Sequence, residues 1–507
     1  MRTFLFIAAS ATLLACVSPK IKRNQIQSFQ REPYRLQFHF SPKEKWMNDP
    51  NGMVFYNNIY HLFYQYNPNS TVWGPMHWGH ATSSDLVHWK HQPIALYPDS
   101  LGTIFSGSAV VDWQNTSGFG REGKVPLVAI YTNHDHVGEK AKRSDFQVQS
   151  IAYSLDEGAT WTKYNNNPIL LNPGIKDFRD PKVIWHEVSR RWIMALATKD
   201  RVSFYSAPDL KNWTKESEFG ERLGAHGGVW ECPDLFPLNH RGQELWVLLV
   251  SINPGGPNGG SATQYFVGNF DGKKFSAIDT TTKWIDYGPD NYAGVTWSNT
   301  GARKVFLGWM SNWEYAANVP TQAWRSSMTI PRELSLEKID GQYLLRSLPV
   351  RELATISSKT RSVQGLHING KQDLTSSVRS FSLPAQISFA TDNLKDFSLV
   401  LSNSAGEQLE IGYNSTNNHY FIDRSKSGKT DFHKSFARKI IAPRLVNTKA
   451  ATIDLWIDVG SVEVFTDGGT SLSTSLFFPS APYDQISIEG TLTIRNFSNT
   501  PIRSVWK

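Results

Sequence analysis

The sequence predicts an all-β protein, an N-terminal five-bladed β-propeller followed by a C-terminal antiparallel β-sandwich. Three observations predict it. Short apolar and aromatic runs of strand length, such as Met53–Tyr56, Tyr60–Tyr66, Trp192–Ala197 and Leu245–Val250, are bounded by turn residues such as Asn57-Asn58 and Asp271-Gly272. Amphipathic stretches with a 3.6-residue period are nearly absent. A turn motif ending in an aromatic residue recurs: Ser83–Trp89, Ser154–Trp161, Ser206–Trp213 and, more weakly, Asn269–Phe275. The closing aromatics lie 72, 52 and 62 residues apart, a spacing that suits blades of four short strands.

The elements follow in order. Met1-Arg2 and the apolar run Thr3–Leu14 have the form of a secretory leader, too short to be a comfortable permanent membrane span. The run ends Leu13-Leu14-Ala15-Cys16, which resembles a bacterial lipobox. On that reading residues 1–15 are a lipoprotein signal peptide, and Cys16 becomes the lipidated first residue. The protein would then be lipid-anchored in the cell envelope, at an outer membrane, facing either the periplasm or the surface. Residues 16–32 are polar and form a tether. Residues 33–349 hold the propeller, 350–366 a connection, and 367–507 the sandwich, where Trp becomes rare and segments alternate.

Composition narrows the function. Hydrophobic residues make up 40% and charged residues 19% of the 507, with 18 Trp, 18 Tyr and 28 Phe, so the chain can bury large cores and is not disordered. The net charge of +7 is spread along the chain without a basic block or nucleic-acid motif, so no nucleic-acid partner is expected. Cys16 and Cys232 are the two cysteines, and lipidation of the first leaves Cys232 without a disulfide partner.

A propeller brings the innermost strands of its blades around one axis, so polar groups at their ends converge on one mouth. Three acidic motifs fit such positions: Trp46-Met47-Asn48-Asp49-Pro50-Asn51-Gly52, Phe178-Arg179-Asp180-Pro181 and Trp230-Glu231-Cys232-Pro233-Asp234. A lone Asp-Pro is a common turn. Three carboxylates on separate blades, with aromatic and Asn or Arg neighbours, are what cleavage of a glycosidic bond requires, because its oxocarbenium-like transition state is stabilised by negative charge.

These three motifs, in this order, resemble the signatures of glycoside hydrolase family 32, whose members cleave β-fructofuranosides such as sucrose, inulin and levan. The resemblance spans nearly the whole chain after the tether, since that family also joins a five-bladed propeller to a β-sandwich. It implies a retaining double displacement. Asp49 would be the nucleophile on the anomeric C2, Glu231 the acid/base, and Asp180 a transition-state stabiliser oriented by Arg179. The two reacting carboxyl groups would lie about 5–5.5 Å apart. Asn48 and Gln65 match fructose-hydroxyl ligands. Trp73, Phe105, Ser106 and Trp313 match the walls of the sugar pocket, and Tyr292 either supports Glu231 or reaches the substrate. No cofactor or metal is implied.

Other features are set aside. Trp89, Trp161 and Trp213 sit in the repeat turns and are expected in the core. His134-Asp135-His136 suggests a metal, but neighbouring side chains on a strand face opposite ways and no third ligand has a recognisable spacing. Cys232 is expected as a buried neighbour tuning Glu231. The Gly-rich loop Asn253–Gly260 lacks the Lys-Ser/Thr of a phosphate loop and is expected as a mobile or close-approach loop near the mouth. The expected activity is exo-hydrolysis of fructans, and of sucrose, from the non-reducing end. An endo-levanase or endo-inulinase, a sucrose-preferring enzyme, a fructosyl transferase and a non-catalytic fructan-binding surface protein are the alternatives. Linkage preference, the role of the sandwich beyond packing and the oligomeric state are left open.

Overall fold

The computed structural model describes residues 32–506. The expected leader, tether and lipidated Cys16 lie almost wholly outside them. Five antiparallel sheets surround one axis, and their innermost strands are Lys45–Tyr56, Thr103–Val111, Phe178–His186, Val229–His240 and Tyr292–Thr296. We number the blades I to V in that order. The ring closes by backbone contact between first and last blades, where Phe55 N–H donates to Ser298 O (3.0 Å) and Ser298 N–H to Met53 O (3.0 Å).

The repeated turn joins the third and fourth strands of blades I to IV. Its Asp carboxylate accepts from backbone N–H groups within the turn: Asp85 from Val87 and His88, Asp156 from Thr160, Asp209 from Lys211 and Asn212, Asp271 from Lys273 and Lys274. This is the Asx-turn chemistry that makes Asp a turn residue. The Trp then folds back, and the indole N–H of Trp89, Trp161 and Trp213 donates to the carbonyl three residues earlier. These three rings are half-buried against the blade cores rather than in the axial mouth.

Each innermost strand breaks register with its neighbour at the same level: between Met47 and Pro50, Ile104 and Gly107, Arg179 and Lys182, Glu231 and Asp234, and Tyr292 and Val295. These are β-bulges, which bend a strand and re-aim its side chains. Asp180 (φ 63°), Cys232 (φ 44°) and Ala293 (φ 53°) adopt left-handed backbone inside them. Such residues persist only where surrounding structure fixes them, and they gather at functional sites.

The sandwich begins earlier than expected. The connection holds a short 3-10 helix, Arg351–Ile356, and the first half of strand Arg361–Asp373. That strand pairs with the 17-residue Gln485–Pro501, which also pairs with Phe397–Ser402 through its first part and Ala385–Thr391 through its second, joining the two layers. Between the layers lie Ile387, Leu399, Ile411, Ile453, Ile488 and Phe497, all buried. The sandwich is tied to the propeller by buried charge. Arg332 of blade V bonds Asp286 (2.9 Å) and, through Nε, the sandwich's Glu463 (3.0 Å), while the sandwich's Arg424 pairs with Asp290 (2.6 Å). His39 bridges Asp458 (2.8 Å) and Glu463 (3.0 Å), both in the sandwich. Burial opposes charging of His39, but hydrogen bonds to the two carboxylates prevail and raise its pKa to about 9. The Gly-rich loop makes a close approach here, where Asn258 donates to Tyr287 O (2.7 Å) and Ile441 O (2.8 Å), and its two ends lie beside strand Val229–His240 and the loop of Trp313.

Candidate active site

The bulges of blades I to IV deliver side chains to one pocket of about 230 Å³, lined by Asn48, Asp49, Gln65, Trp73, Phe105, Ser106, Arg179, Asp180, Glu231 and Trp313, with His134, Glu139, Gln147 and Asp177 at its side. This is below the usual range for drug-sized ligands and suits a single sugar unit. All three expected carboxylates are there. Asp49 is held from both sides, accepting from Asn48 Nδ2 (2.9 Å) and from Ser106 Oγ (2.7 Å), while Trp46 Nε1 fixes Asn48 by donating to its Oδ1 (2.7 Å). Burial and the charge of Glu231 push the Asp49 carboxyl up, and these hydrogen bonds oppose them.

Glu231 accepts from Arg179 Nε (3.1 Å) and Nη2 (2.9 Å) on one oxygen, and from the Tyr292 hydroxyl on the other. Tyr292 thus contacts Glu231 directly. Arg179 is anchored in turn by Asp177 (2.6 Å), so the guanidinium orients the glutamate beside it rather than bonding Asp180 directly. Asp180 instead accepts from the Cys232 backbone N–H (3.0 Å). Its carboxyl is pushed up to about 7, chiefly by burial; Arg179 opposes the rise and the charges of Glu231 and Asp49 add to it.

One expectation gains detail and one is corrected. Cys232 is buried and feels the charge of Glu231, its neighbour in the chain, but its thiol contacts two other carboxylates. Its thiol lies 3.6 Å from Asp49 Oδ2 and 3.6 Å from Asp180 Oδ2, wedged between those two carboxylates, because the bulge turns the residue after Glu231 toward the axis. His134 and His136 do not share a strand. Strand Leu127–His134 ends at the first, and Asp135 caps a five-residue helix, His136–Lys140, so both rings lie on one side with centroids 4.4 Å apart. Glu139 from that helix joins them, and the ligand atoms of the three lie within 4.8 Å of one another. Gln147 and Asp177 were likewise missed, for want of any motif around them.

The remaining expected residues take their places. Gln65 is 2% exposed, and its side-chain N–H₂ has no partner among the described residues although it lines the pocket. A buried donor without an acceptor is costly, and a ligand hydroxyl would satisfy it. Trp313 stacks on Trp46 at 5.9 Å, Phe105 stacks on His134 at 4.2 Å, and Trp73 meets Phe105 edge-on at 6.1 Å. Below the carboxylates the axis closes. A gap lined by Asn51, Asp180, Lys182 and Cys232 among others holds about 10 Å³, no more than one water. Lys182 blocks it, paired with Asp234 (3.0 Å) and bonded to Thr296 O (2.7 Å).

A sugar-sized blind pocket, carboxylates on separate blades and aromatic walls define a glycoside hydrolase. The family models agree: Glycosyl hydrolases family 32 N-terminal domain matches residues 39–347, and Glycosyl hydrolases family 32 C terminal matches residues 351–501. The chain belongs to glycosyl hydrolases family 32. It is 45% identical over 495 residues to a levanase of Bacillus subtilis, covering 94% of this chain and 72% of that protein. An extracellular exo-inulinase of Aspergillus niger is 42% identical over 486 residues, covering 89% and 90% of the two chains. Among solved structures, exo-inulinase from Aspergillus awamori superposes with a TM-score of 0.85 at 36% identity, over 94% of this chain and 99% of that one.

Proposed function

We propose that the protein is a fructan β-fructosidase that removes fructose from the non-reducing end of its substrate by a retaining double displacement. The observation that carries the exo assignment is the pocket's closure at Lys182, which leaves room for one terminal sugar and, among the described residues, only a water-sized gap beneath it. Levanase and exo-inulinase relatives support the substrate class. In the first step the Asp49 carboxylate attacks C2 of the terminal fructose while Glu231 gives its proton to the departing oxygen. Breaking that C–O bond leaves a fructosyl ester on Asp49. In the second step Glu231 takes a proton from water, the water oxygen attacks C2, and Asp49 is released. Asp180, Gln65 and Asn48 hold the sugar hydroxyls as the ring flattens, and Arg179 and Tyr292 keep Glu231 aimed at the bond.

Product analysis on levan and inulin tests this. Free fructose from the first minutes is expected, and early oligosaccharides would overturn the exo assignment. Asp49→Asn and Glu231→Gln are each expected to lower kcat by at least about a thousandfold, since each removes a covalent or proton-transfer step. Equal and negligible turnover by wild type and both variants, with fructan binding retained, would sink the mechanism. Initial rates on levan, inulin and sucrose then assign the linkage. The leader ending in Cys16, together with relatives described as extracellular, supports an envelope location with a lipid anchor. Cys16→Ser should move activity from the membrane fraction to the soluble fraction.

A further inference from the structure

The pocket runs from a buried floor to an exposed side. Gln65 and Asp180 are buried below, whereas Glu139 and Trp73 lie at the rim, with the Glu139 side chain 50% exposed. With the terminal fructose on the floor, as the proposed function has it, a group at the rim faces the leaving side of the bond.

A chain of hydrogen bonds reaches Glu139 from the innermost strand of blade III through blade II. The Phe178 backbone N–H donates to Gln147 Oε1 (2.7 Å), which fixes the amide and leaves its N–H₂ facing His134 Nδ1 (3.1 Å). Nδ1 must then be the accepting nitrogen, so the hydrogen is on Nε2, which donates to Glu139 Oε2 (3.1 Å). Stacking on Phe105 holds the imidazole plane, and burial keeps the ring neutral, its pKa lowered to about 4. Because Nε2 carries the hydrogen, this arrangement does not present the pair of lone pairs that a metal shared by His134, His136 and Glu139 needs. It presents a carboxylate instead, with one oxygen held by His134 and the other without a partner among the described residues, open to hydroxyl groups.

We propose that Glu139, oriented through Gln147 and His134, is the hydrogen-bond acceptor that binds the sugar unit on the leaving-group side of the scissile bond. Trp73, packed edge-on against Phe105 beside it and 41% exposed, supplies the apolar face of the same subsite. The inference rests on the fructosidase reading, and its test separates the two.

The test compares kcat/KM for a short inulin-type oligosaccharide with that for methyl β-fructofuranoside, whose leaving group carries no further hydroxyls. In Glu139→Leu the ratio of the two is expected to fall about tenfold, the scale of one hydrogen bond to a charged group. In Glu139→Gln, which still accepts from His134, it should fall by less. A thermal midpoint unchanged from wild type shows that the exposed position has not disturbed the fold. A ratio within twofold of wild type, or an equal loss on both substrates, overturns the proposal. So does inhibition of the wild type by micromolar Zn²⁺ that His136→Ala abolishes, which would assign the cluster to a metal. Failure of the wild type to cleave either fructoside would instead strike the activity itself.

Discussion

Replacing Asp180 with Asn separates what this carboxylate does for chemistry from what it does to stability. Its carboxyl is pushed from the ordinary 3.8 to about 7, mainly by burial, with Arg179 opposing. An acid whose pKa is raised by folding binds its proton more tightly in the native state. The associated stabilisation is therefore complete below about pH 4 and is lost as pH rises through about 7. The interval from 3.8 to about 7 corresponds to about 4 kcal/mol of native stability that has disappeared by pH 8. Asn carries no charge at any pH and keeps an oxygen for the Cys232 N–H. The assay is thermal unfolding of wild type and Asp180→Asn between pH 4 and 8. The variant should match wild type at pH 4 and pull ahead by several degrees at pH 8, while its hydrolytic rate falls by orders of magnitude. Parallel curves, or a wild type that gains on the variant as pH rises, would refute the electrostatic account of the site.

Other perturbations test other links. Tyr292→Phe removes the hydroxyl that bonds Glu231 Oε2, and should lower kcat about ten- to a hundredfold and move the pH–rate profile, with KM little changed. Arg424→Leu leaves Asp290 buried without its cation and should cost about 3–5 kcal/mol, measured as a lower denaturant midpoint; an unaffected midpoint would mean the pair contributes nothing across the domain interface. His39 has a folded pKa of about 9 against an ordinary 6.5, so its contribution is present below about pH 6.5 and lost as pH rises through about 9. His39→Gln should flatten the decline in thermal midpoint over that interval.

The repeated Asp-to-Trp turn was readable because its chemistry is local, a carboxylate capping backbone N–H groups within four residues. Its spacing then gave the blade size. The three acidic motifs were readable because each lies within one inner strand. What was hidden depends on partners far away in the chain. The left-handed backbone at Asp180, Cys232 and Ala293 has no glycine to announce it. The same bulge turns Cys232 onto two aspartates, which adjacency to Glu231 could not reveal. Helix His136–Lys140 is too short to leave a period, so the two histidines read as strand neighbours and Glu139 was overlooked. The pairs Arg332–Glu463 and Arg424–Asp290 join residues 131 and 134 positions apart, and no spacing rule reaches across two domains.

The ion pair of Lys182 with Asp234 gives the mouth a second duty, because with the axis stopped at that depth it is also the exit. The shortened polymer must withdraw through it before water can reach the fructosyl ester, and the freed monosaccharide follows by the same route. Degradation must then be distributive, a fresh encounter for every unit removed, so that in a mixed population all chains shrink together instead of one being consumed before the next.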